Sequence, residues 1–311
     1  MPKQIQLFLN LSELGAGTRG ASLGPQAIAA AARTLKSDFF HKYPSMFIPL
    51  MNNYLDVPTR FPFAKNIDGI ANVYQALREE IPSVIQKGKT PFILAGDHGS
   101  AGGTIAGLKL AYPDKRLGVI WIDAHGDLHT PYTTPSGNVH GMPLATALGV
   151  DNLECQRNQP DEETIAYWEN LKSGAILPED LIFVGVRDTE PEEDHLMESL
   201  KIRNITVAEY REKGINDVMD IINERLQACD LIYVSFDVDS MDPEFTSLGT
   251  GTPVPGGLHP EEALLLLSKC VKHPKFAAFE LVEVNPCLDD KKNRMAEVAF
   301  GIIEKLAQDI H

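Results

Sequence analysis

Short apolar runs alternate with longer segments of helical periodicity along the 311 residues of the chain. Apolar runs bounded by turn residues are typical of buried parallel strands, and apolar positions three and four apart are typical of helices. The predicted strands cover residues 5–11, 47–50, 92–94, 117–122, 181–186, 231–236 and 276–283. The predicted helices cover residues 24–35, 69–86, 102–111, 142–148, 217–228, 260–271 and 291–306. This alternation predicts an α/β fold, a mostly parallel sheet with helices on both faces, in one domain spanning residues 1–311.

Composition narrows the class of protein. The chain has 28 basic and 43 acidic residues, a net charge of −15, which argues against a nucleic-acid-binding protein. No apolar run reaches the roughly 18 residues of a membrane span. Cys155, Cys229, Cys270 and Cys287 form no paired metal-binding pattern, and the first residues lack a secretory apolar segment. We therefore expect a reduced, cytoplasmic enzyme with structural cysteines and neither nucleic acid nor membrane as a partner.

Acidic and histidine side chains follow three of the predicted strands. The carboxyl ends of parallel strands share one edge of a sheet, where ligands bind in open α/β folds. Residues two apart in extended chain share a face, so these side chains can converge. So many buried ionisable groups would be unfavourable without a cation. The pattern predicts a two-metal hydrolytic site with the candidate ligands His98, Asp123, His125, Asp127, Asp237 and Asp239.

A single Asp-x-Asp pair at a strand end is usually a turn or a helix cap. Three clusters that end three separate strands are hard to explain in that way. The four aspartates of the clusters at 123–127 and 237–239 balance the charge of two divalent cations. Two adjacent divalent cations can share a water molecule and lower its pKa. Carboxylates favour Mn²⁺, whereas histidine ligands also admit Co²⁺, Ni²⁺, Fe²⁺ or Zn²⁺.

Five motifs carry a resemblance to a known family. They are Ala-Gly-Asp-His at 95–98, Asp-Ala-His-Gly-Asp at 123–127, Ser-Phe-Asp-Val-Asp-Ser-Met-Asp-Pro at 235–243, Gly-Thr-Pro at 251–253 with Gly-Gly-Leu at 256–258, and Glu-Val-Asn-Pro at 283–286. Together, and in this order, they resemble the ureohydrolase family of arginase, agmatinase and formimidoylglutamase. The resemblance implies a three-layer α/β/α fold with a central eight-stranded sheet and two Mn²⁺ ions.

The resemblance also implies which residues serve each metal. His98, Asp123, Asp127 and Asp237 would serve one metal or the bridge, and His125, Asp123, Asp237 and Asp239 would serve the other. The implied reaction is hydrolysis of L-arginine to L-ornithine and urea by a metal-bridging hydroxide. Asp127 would orient the hydroxide and carry its proton, His140 would return a proton from solvent, and Glu283 would pair with the guanidinium.

The loop at 129–141 resembles the arginase version of this segment. Thr134, Ser136 and Asn138 match residues that hold the substrate α-carboxylate, and their hydroxyl and amide groups can donate hydrogen bonds. The alternative is a polar turn without a ligand, which such composition usually indicates.

The segment that receives the α-amino group in arginases is matched by Asp188, Glu190 and Glu193. Its alternative is the acidic first turn of a helix. Thr252 would contact a guanidinium nitrogen, and His129 completes the candidate substrate-binding residues. His129 stands where arginases normally have Asn, and Glu190 where they normally have Asp.

Several other functions stay open on sequence alone. Within the family these are agmatinase, a guanidino-acid hydrolase and formimidoylglutamase. Beyond it are a zinc deacetylase, whose tandem histidines this chain lacks, and a former enzyme that only binds. Family members form trimers or hexamers, so a homo-oligomer is expected. The glycine-rich segment 12–20 is expected to line or cover the pocket.

Overall fold

Eight strands form one parallel sheet in the computed structural model, which describes residues 4–310. The strands are β1 (Gln4–Asn10), β2 (Ser45–Phe47), β3 (Lys89–Ala95), β4 (Leu117–Ile122), β5 (Leu181–Val184), β6 (Arg203–Ile205), β7 (Leu231–Asp237) and β8 (Phe276–Val282). Their order across the sheet is β2-β1-β3-β8-β7-β4-β5-β6. Every strand pair among the described residues is parallel, so the predicted α/β class is confirmed.

Helices cover both faces of this sheet. They are α1 (Gly24–Thr34), α2 (Phe39–Lys42), α3 (Ile67–Gln86), α4 (Ala101–Ala111), α5 (Pro143–Leu148), α6 (Glu162–Leu171), α7 (Pro191–Ser199), α8 (Val207–Arg225), α9 (Pro260–Val271) and α10 (Arg294–Asp309). Side chains alternate along each strand. In β4, Ile120 and Ile122 pack in the core with α1, α8, α9 and α10, whereas Val119 and Trp121 pack with α3 to α7. The three-layer arrangement is thus confirmed.

The strand order places four predicted site segments side by side. Strands β3, β8, β7 and β4 are consecutive neighbours in the centre of the sheet. Leu281 of β8 pairs with Leu94 of β3 and with Phe236 of β7, and Phe236 pairs with Ile122 of β4. The carboxyl ends of the four strands are therefore level, and the residues that follow them meet at one edge.

Some predicted elements differ from the structure. A strand is predicted at 47–50, but the observed strand, β2, covers Ser45–Phe47. It ends before Pro49, which has no N–H to donate to a neighbouring strand. Strand β6 was not predicted because Arg203–Ile205 has one apolar residue, and it forms by pairing with β5. Helix α6 was missed although Asp161 caps it, accepting a hydrogen bond from the Thr164 N–H. Among residues 4–310, no helix is long and apolar enough to cross a membrane.

Phe279 tests how strongly the centre of the sheet depends on its packing. It is fully buried in β8, and its ring centroid lies 4.9 Å from that of Phe92 on β3. We expect Phe279→Ala to lower the free energy of unfolding by about 3–5 kcal/mol, the usual cost of such a cavity. The matched control is Phe47→Ala at a ring that is 56% exposed, which should cost about 0.5 kcal/mol or less. Urea denaturation of both variants measures this, and equal losses would contradict the core assignment.

Candidate active site

The first candidate ligand cluster surrounds His98. Its Nδ1 lies 3.0 Å from Asp123 Oδ2, 3.1 Å from Asp127 Oδ2 and 3.3 Å from Asp237 Oδ2. The ring stacks on Trp121, with centroids 4.0 Å apart and planes 4° from parallel. Stacking fixes the plane of the imidazole, so Nδ1 faces the three carboxylates.

The second cluster is built around His125, in the segment that follows β4. His125 Nδ1 lies 3.0 Å from Asp239 Oδ2 and 3.5 Å from Asp123 Oδ1. Asp123 therefore presents one carboxylate oxygen to each cluster, and it is the residue that the two clusters share. Two adjacent groups with a common carboxylate are the arrangement that a pair of cations requires.

The electrostatics of these clusters fit a pair of divalent cations. Among residues 4–310, the buried Nδ1 of His98 has no hydrogen-bond partner, although three carboxylate oxygens surround it. Burial lowers the pKa of both imidazoles, but the facing aspartates outweigh it and raise the pKa of His98 and His125 above the ordinary value. Burial, then the Asp123 charge, raises the pKa of Asp127 to about 6. Without metal, the raised pKa values favour protonated side chains at the positions where cations would neutralise the carboxylates. The oxygen and nitrogen donors of these side chains suit Mn²⁺, Co²⁺ or Ni²⁺.

Backbone strain marks two of the candidate catalytic residues. Asp127 and Glu283 have φ values of 51° and 67°, in a region that residues other than glycine rarely adopt. The Glu283 N–H donates to the Gly96 carbonyl at 3.0 Å, and Glu283 Oε1 accepts from the His98 N–H at 2.9 Å. Strain of this kind persists where surrounding contacts hold it. It turns the Glu283 carboxylate from the end of β8 into the site.

His140 lies against Glu283. Their Nδ1 and Oε1 atoms are 3.2 Å apart. Burial lowers the pKa of His140, but the hydrogen bond and charge of Glu283 outweigh it and raise the pKa to about 9. At neutral pH this imidazole therefore carries a proton that it can give away.

Segment 12–20 is hydrogen-bonded to the backbone of His140. Gly15 accepts a hydrogen bond from the His140 N–H at 3.2 Å and donates its own N–H to Asp97 Oδ2 at 2.8 Å. The segment was expected to line or cover the pocket, and none of residues 12–20 lines the cavity, so the lining role is not observed. Its glycines instead allow the close approach, because a Cβ at Gly15 would lie 2.8 Å from the His140 nitrogen.

One cavity of about 300 Å³ joins the predicted site residues. Asp123 lies behind it, and the other five candidate metal ligands line it. The further predicted residues that line it are His129, Thr134, Ser136, Asn138, His140, Asp188, Glu190, Glu193, Thr252 and Glu283. The structure therefore brings together residues from six separate stretches of the sequence.

Hydrogen-bond donors of the 129–141 loop face the cavity. Thr134 Oγ1 accepts from the Gly137 N–H at 2.9 Å, and Ser136 Oγ accepts from the Asn138 N–H at 3.1 Å. Each hydroxyl oxygen is thus occupied as an acceptor, and its proton remains available to a ligand. Gly137 is required for this turn, because its φ is 75° and a Cβ would lie 2.0 Å from the Pro62 carbonyl oxygen.

Lys65 adds a cation that the sequence did not indicate. Its Nζ lies 3.1 Å from Asn138 Oδ1, although the two residues are 73 positions apart. No local pattern around Lys65 connects it with the loop. Arg187 is the opposite case, a cation near the recognition segments in sequence. Its guanidinium donates to the carbonyl oxygens of Asp239 and Val254, and it does not line the cavity.

The acidic segment both caps α7 and lines the cavity. Glu190 and Glu193 form a capping box, in which each side chain accepts a hydrogen bond from the backbone N–H of the other. His129 Nε2 lies 3.0 Å from Glu190 Oε2, and this bond is the main reason that the pKa of Glu190 falls to about 2. Burial raises the pKa of Glu193 to about 8. Asp188 is the most exposed of the three carboxylates, with 65% of its side chain accessible to solvent.

Thr252 lies beside the second cluster. Its hydroxyl donates to Asp239 Oδ2 at 3.1 Å, so its oxygen is left as an acceptor facing the cavity. A guanidinium has donors only. This orientation is compatible with the predicted contact to a guanidinium nitrogen.

Comparison with known proteins agrees with this geometry. A sequence model of the Arginase family matches residues 9–308. The arginase of Bacillus subtilis is 33% identical over 308 residues, 98% of each chain, and its crystal structure superposes with a TM-score of 0.81 at 32% identity, again covering 98% of each.

Two further solved structures are similar to the chain. The Entamoeba histolytica arginase in complex with L-ornithine has a TM-score of 0.81 at 29% identity, covering 98% of this chain and 99% of that one. The B. subtilis formimidoylglutamase has a TM-score of 0.75 at 20% identity, covering 99% of this chain and 87% of that one, and it shows the fold alone.

Glu193 gives the site a testable pH dependence. Its pKa of about 8 in the folded chain lies above the ordinary value of 4.5. Such a group stabilises the fold fully below its unfolded pKa, and this contribution is lost as the pH rises through the folded pKa. Between about pH 5 and about pH 8, the free energy of unfolding should fall by more than about 1 kcal/mol relative to that of Glu193→Gln.

Urea denaturation of chelator-treated protein at a series of pH values measures the difference. Glu244→Gln, which changes an exposed carboxylate on another loop, is the control and should follow the unmodified protein. Parallel curves for Glu193→Gln and the unmodified chain would contradict the assigned pKa.

Proposed function

Because the chain belongs to the arginase family, and is therefore a hydrolase acting on the C–N bonds of guanidino compounds, we propose that it converts L-arginine to L-ornithine and urea. One observation carries the proposal. Two ligand clusters that share Asp123 adjoin a cavity whose other walls hold carboxylate-binding donors and amine-binding carboxylates. That combination matches the guanidinium, α-carboxylate and α-amino groups of one amino acid.

The family depends on a binuclear metal centre, and we propose Mn²⁺ as its metal, with Co²⁺ or Ni²⁺ as possible substitutes. His98, Asp127, Asp123 and Asp237 would hold one ion, and His125, Asp123, Asp237 and Asp239 the other. Two divalent cations bound there would lower the pKa of a water molecule and make it a nucleophile at neutral pH.

The residues around the centre have separate tasks in this reaction. The carboxylate of Glu283 pairs with the guanidinium, a charge-assisted contact that is strong and directional. Asp127 orients the attacking water and accepts its proton, the task of a general base within hydrogen-bond reach. His140, protonated at neutral pH and held by Glu283, supplies a proton to the leaving amine.

The far end of the cavity selects an amino acid. The hydroxyls of Thr134 and Ser136 and the amide of Asn138 donate to the α-carboxylate. Lys65 contacts the oxygen of Asn138 at 3.1 Å and brings a positive charge to the same end. Asp188 and Glu190 face the α-amino group, and His129 fixes the position of Glu190 at 3.0 Å. We also propose a cytoplasmic homo-oligomer, a trimer or a hexamer.

Urea release from three guanidines tests the substrate. The protein is preincubated with Mn²⁺, Co²⁺ or Ni²⁺ and then given L-arginine, agmatine, which lacks the carboxylate, or 4-guanidinobutyrate, which lacks the carbon that bears the amino group. We expect urea from L-arginine alone, with Mn²⁺ giving the fastest release. Efficient release from agmatine or 4-guanidinobutyrate would contradict the assigned roles of the 129–141 loop or of the acidic segment. Release from none of the three would favour a formimino substrate or a binding role.

Asp127→Asn tests the proton acceptor. The amide keeps the size of the side chain and an oxygen donor but cannot take up a proton at neutral pH. We expect turnover to fall by about 100-fold or more while much of the bound metal is retained. Steady-state urea release and metal analysis of the same sample measure both. Asp114→Asn, at an exposed position, should leave both unchanged, and near-normal turnover of Asp127→Asn would contradict the role.

A further inference from the structure

Three buried polar side chains lie behind His98, away from the cavity. Tyr233 and Ser235 are two residues apart in β7 and so share a face of the sheet, and Glu280 of β8 is paired in register with Ser235. All three are fully buried, and none lines the cavity. A carboxyl group inside an apolar strand is unfavourable unless hydrogen bonds satisfy it. The proposed reaction gives Glu280 no role.

Their contacts lead from Glu280 to the first ligand cluster. His98 Nε2 lies 2.8 Å from Ser235 Oγ, and the Tyr233 hydroxyl donates to Glu280 Oε2 at 2.8 Å. Burial raises the pKa of Tyr233 well above its ordinary value, while a hydrogen bond from Ser235 acts in the opposite direction. His98 and Ser235 form one hydrogen-bonded pair, Tyr233 and Glu280 form another, and Ser235 and Tyr233 lie on the same face of β7.

We propose that Tyr233 and Glu280 are positioning residues that hold His98 with its proton on Nε2 and the Nδ1 lone pair directed at the first metal. Burial raises the pKa of Glu280, and the Tyr233 hydroxyl donates to Glu280 Oε2. The Tyr233 oxygen then accepts from Ser235, and Ser235 accepts from His98 Nε2–H. Partners of this kind orient a ligating histidine and fix its tautomer.

The second cluster provides an internal comparison. In the described part of the chain, the charged neighbour of His125 Nε2 is Asp188 at 3.7 Å, whose side chain is 65% exposed, in contrast to the buried groups behind His98. Loss of the hydrogen-bond chain should therefore weaken one metal position more than the other. The inference rests on the proposed metal-binding role of His98 and is independent of the substrate.

Binding of Mn²⁺ to chelator-treated protein tests the proposal without turnover. Free Mn²⁺ is measured by electron paramagnetic resonance during a titration of the full chain. For Tyr233→Phe we expect one of two equivalents to bind about tenfold more weakly, the lower end of the effect of outer-shell partners. Glu280→Leu should behave in the same way. Glu280→Gln keeps an acceptor oxygen for Tyr233 and should stay close to the unmodified protein.

Tyr210→Phe is the matched control. Tyr210 is also buried, and its hydroxyl donates to the Glu262 carbonyl oxygen at 3.1 Å, away from the site. This variant should lose metal-free thermal stability, as Tyr233→Phe does, but bind both Mn²⁺ equivalents normally. The proposal is overturned if Tyr233→Phe and Glu280→Leu bind both equivalents like the unmodified protein, or if Tyr210→Phe shows the same loss. If the unmodified protein binds two equivalents of Mn²⁺ but releases no urea from any of the three guanidines, the proposed function is contradicted and this inference still stands.

Discussion

The mutual repulsion of buried carboxylates is the constraint on which this structure depends. Four aspartates and a glutamate end or follow the three adjacent central strands β8, β7 and β4, and their side chains are almost fully buried. They are Asp123, Asp127, Asp237, Asp239 and Glu283. Such a group is stable only if something positive lies between its members. In the chain alone, protons on His98 and His125 partly meet this need. Two divalent cations meet it more completely, so the fold is built around an electrostatic requirement that also supplies the chemistry.

The carboxylates are held in place by the backbone and by neighbouring side chains. Asp237 Oδ1 accepts from the Asp239 N–H at 2.8 Å, and Asp123 Oδ1 accepts from the His125 N–H at 2.7 Å. Trp121 Nε1 donates to the other oxygen of Asp123 at 3.0 Å. These bonds orient the remaining lone pairs before any ligand arrives. Preorganised donors and acceptors of this kind avoid reorganisation during the reaction.

The centre of the site could be predicted from sequence because its ligands are close together along the chain. A buried strand followed by Asp123, His125 and Asp127 is visible as a local pattern, and parallel strands bring such patterns to one edge. Strand β4 was accordingly predicted at its observed bounds, Leu117–Ile122. The tasks of individual residues, by contrast, came from the family resemblance and stay predictions.

Contacts between distant segments could not be predicted. Nothing near Lys65 indicates Asn138, and the left-handed backbone of Glu283 depends on a hydrogen bond to Gly96. Glu280 did offer a signal, since an ionisable residue within an apolar strand requires a partner. The acidic segment at 188–193 shows that residues capping a helix can also line a cavity. Glu190 and Glu193 cap a helix, and the same geometry turns them toward the cavity.

Charge at the cavity explains how a cationic substrate can be favoured beyond the metal centre. If two divalent cations balance the four ligand aspartates, the remaining acidic groups that line the cavity are Glu283, Asp188, Glu190 and Glu193. His140 offsets Glu283, and His129 offsets Glu190. With Glu193 partly protonated because of its burial, Asp188 carries the main uncompensated charge. His129 and Glu190 thus form an internal ion pair, and the local excess of negative charge is left to the exposed Asp188.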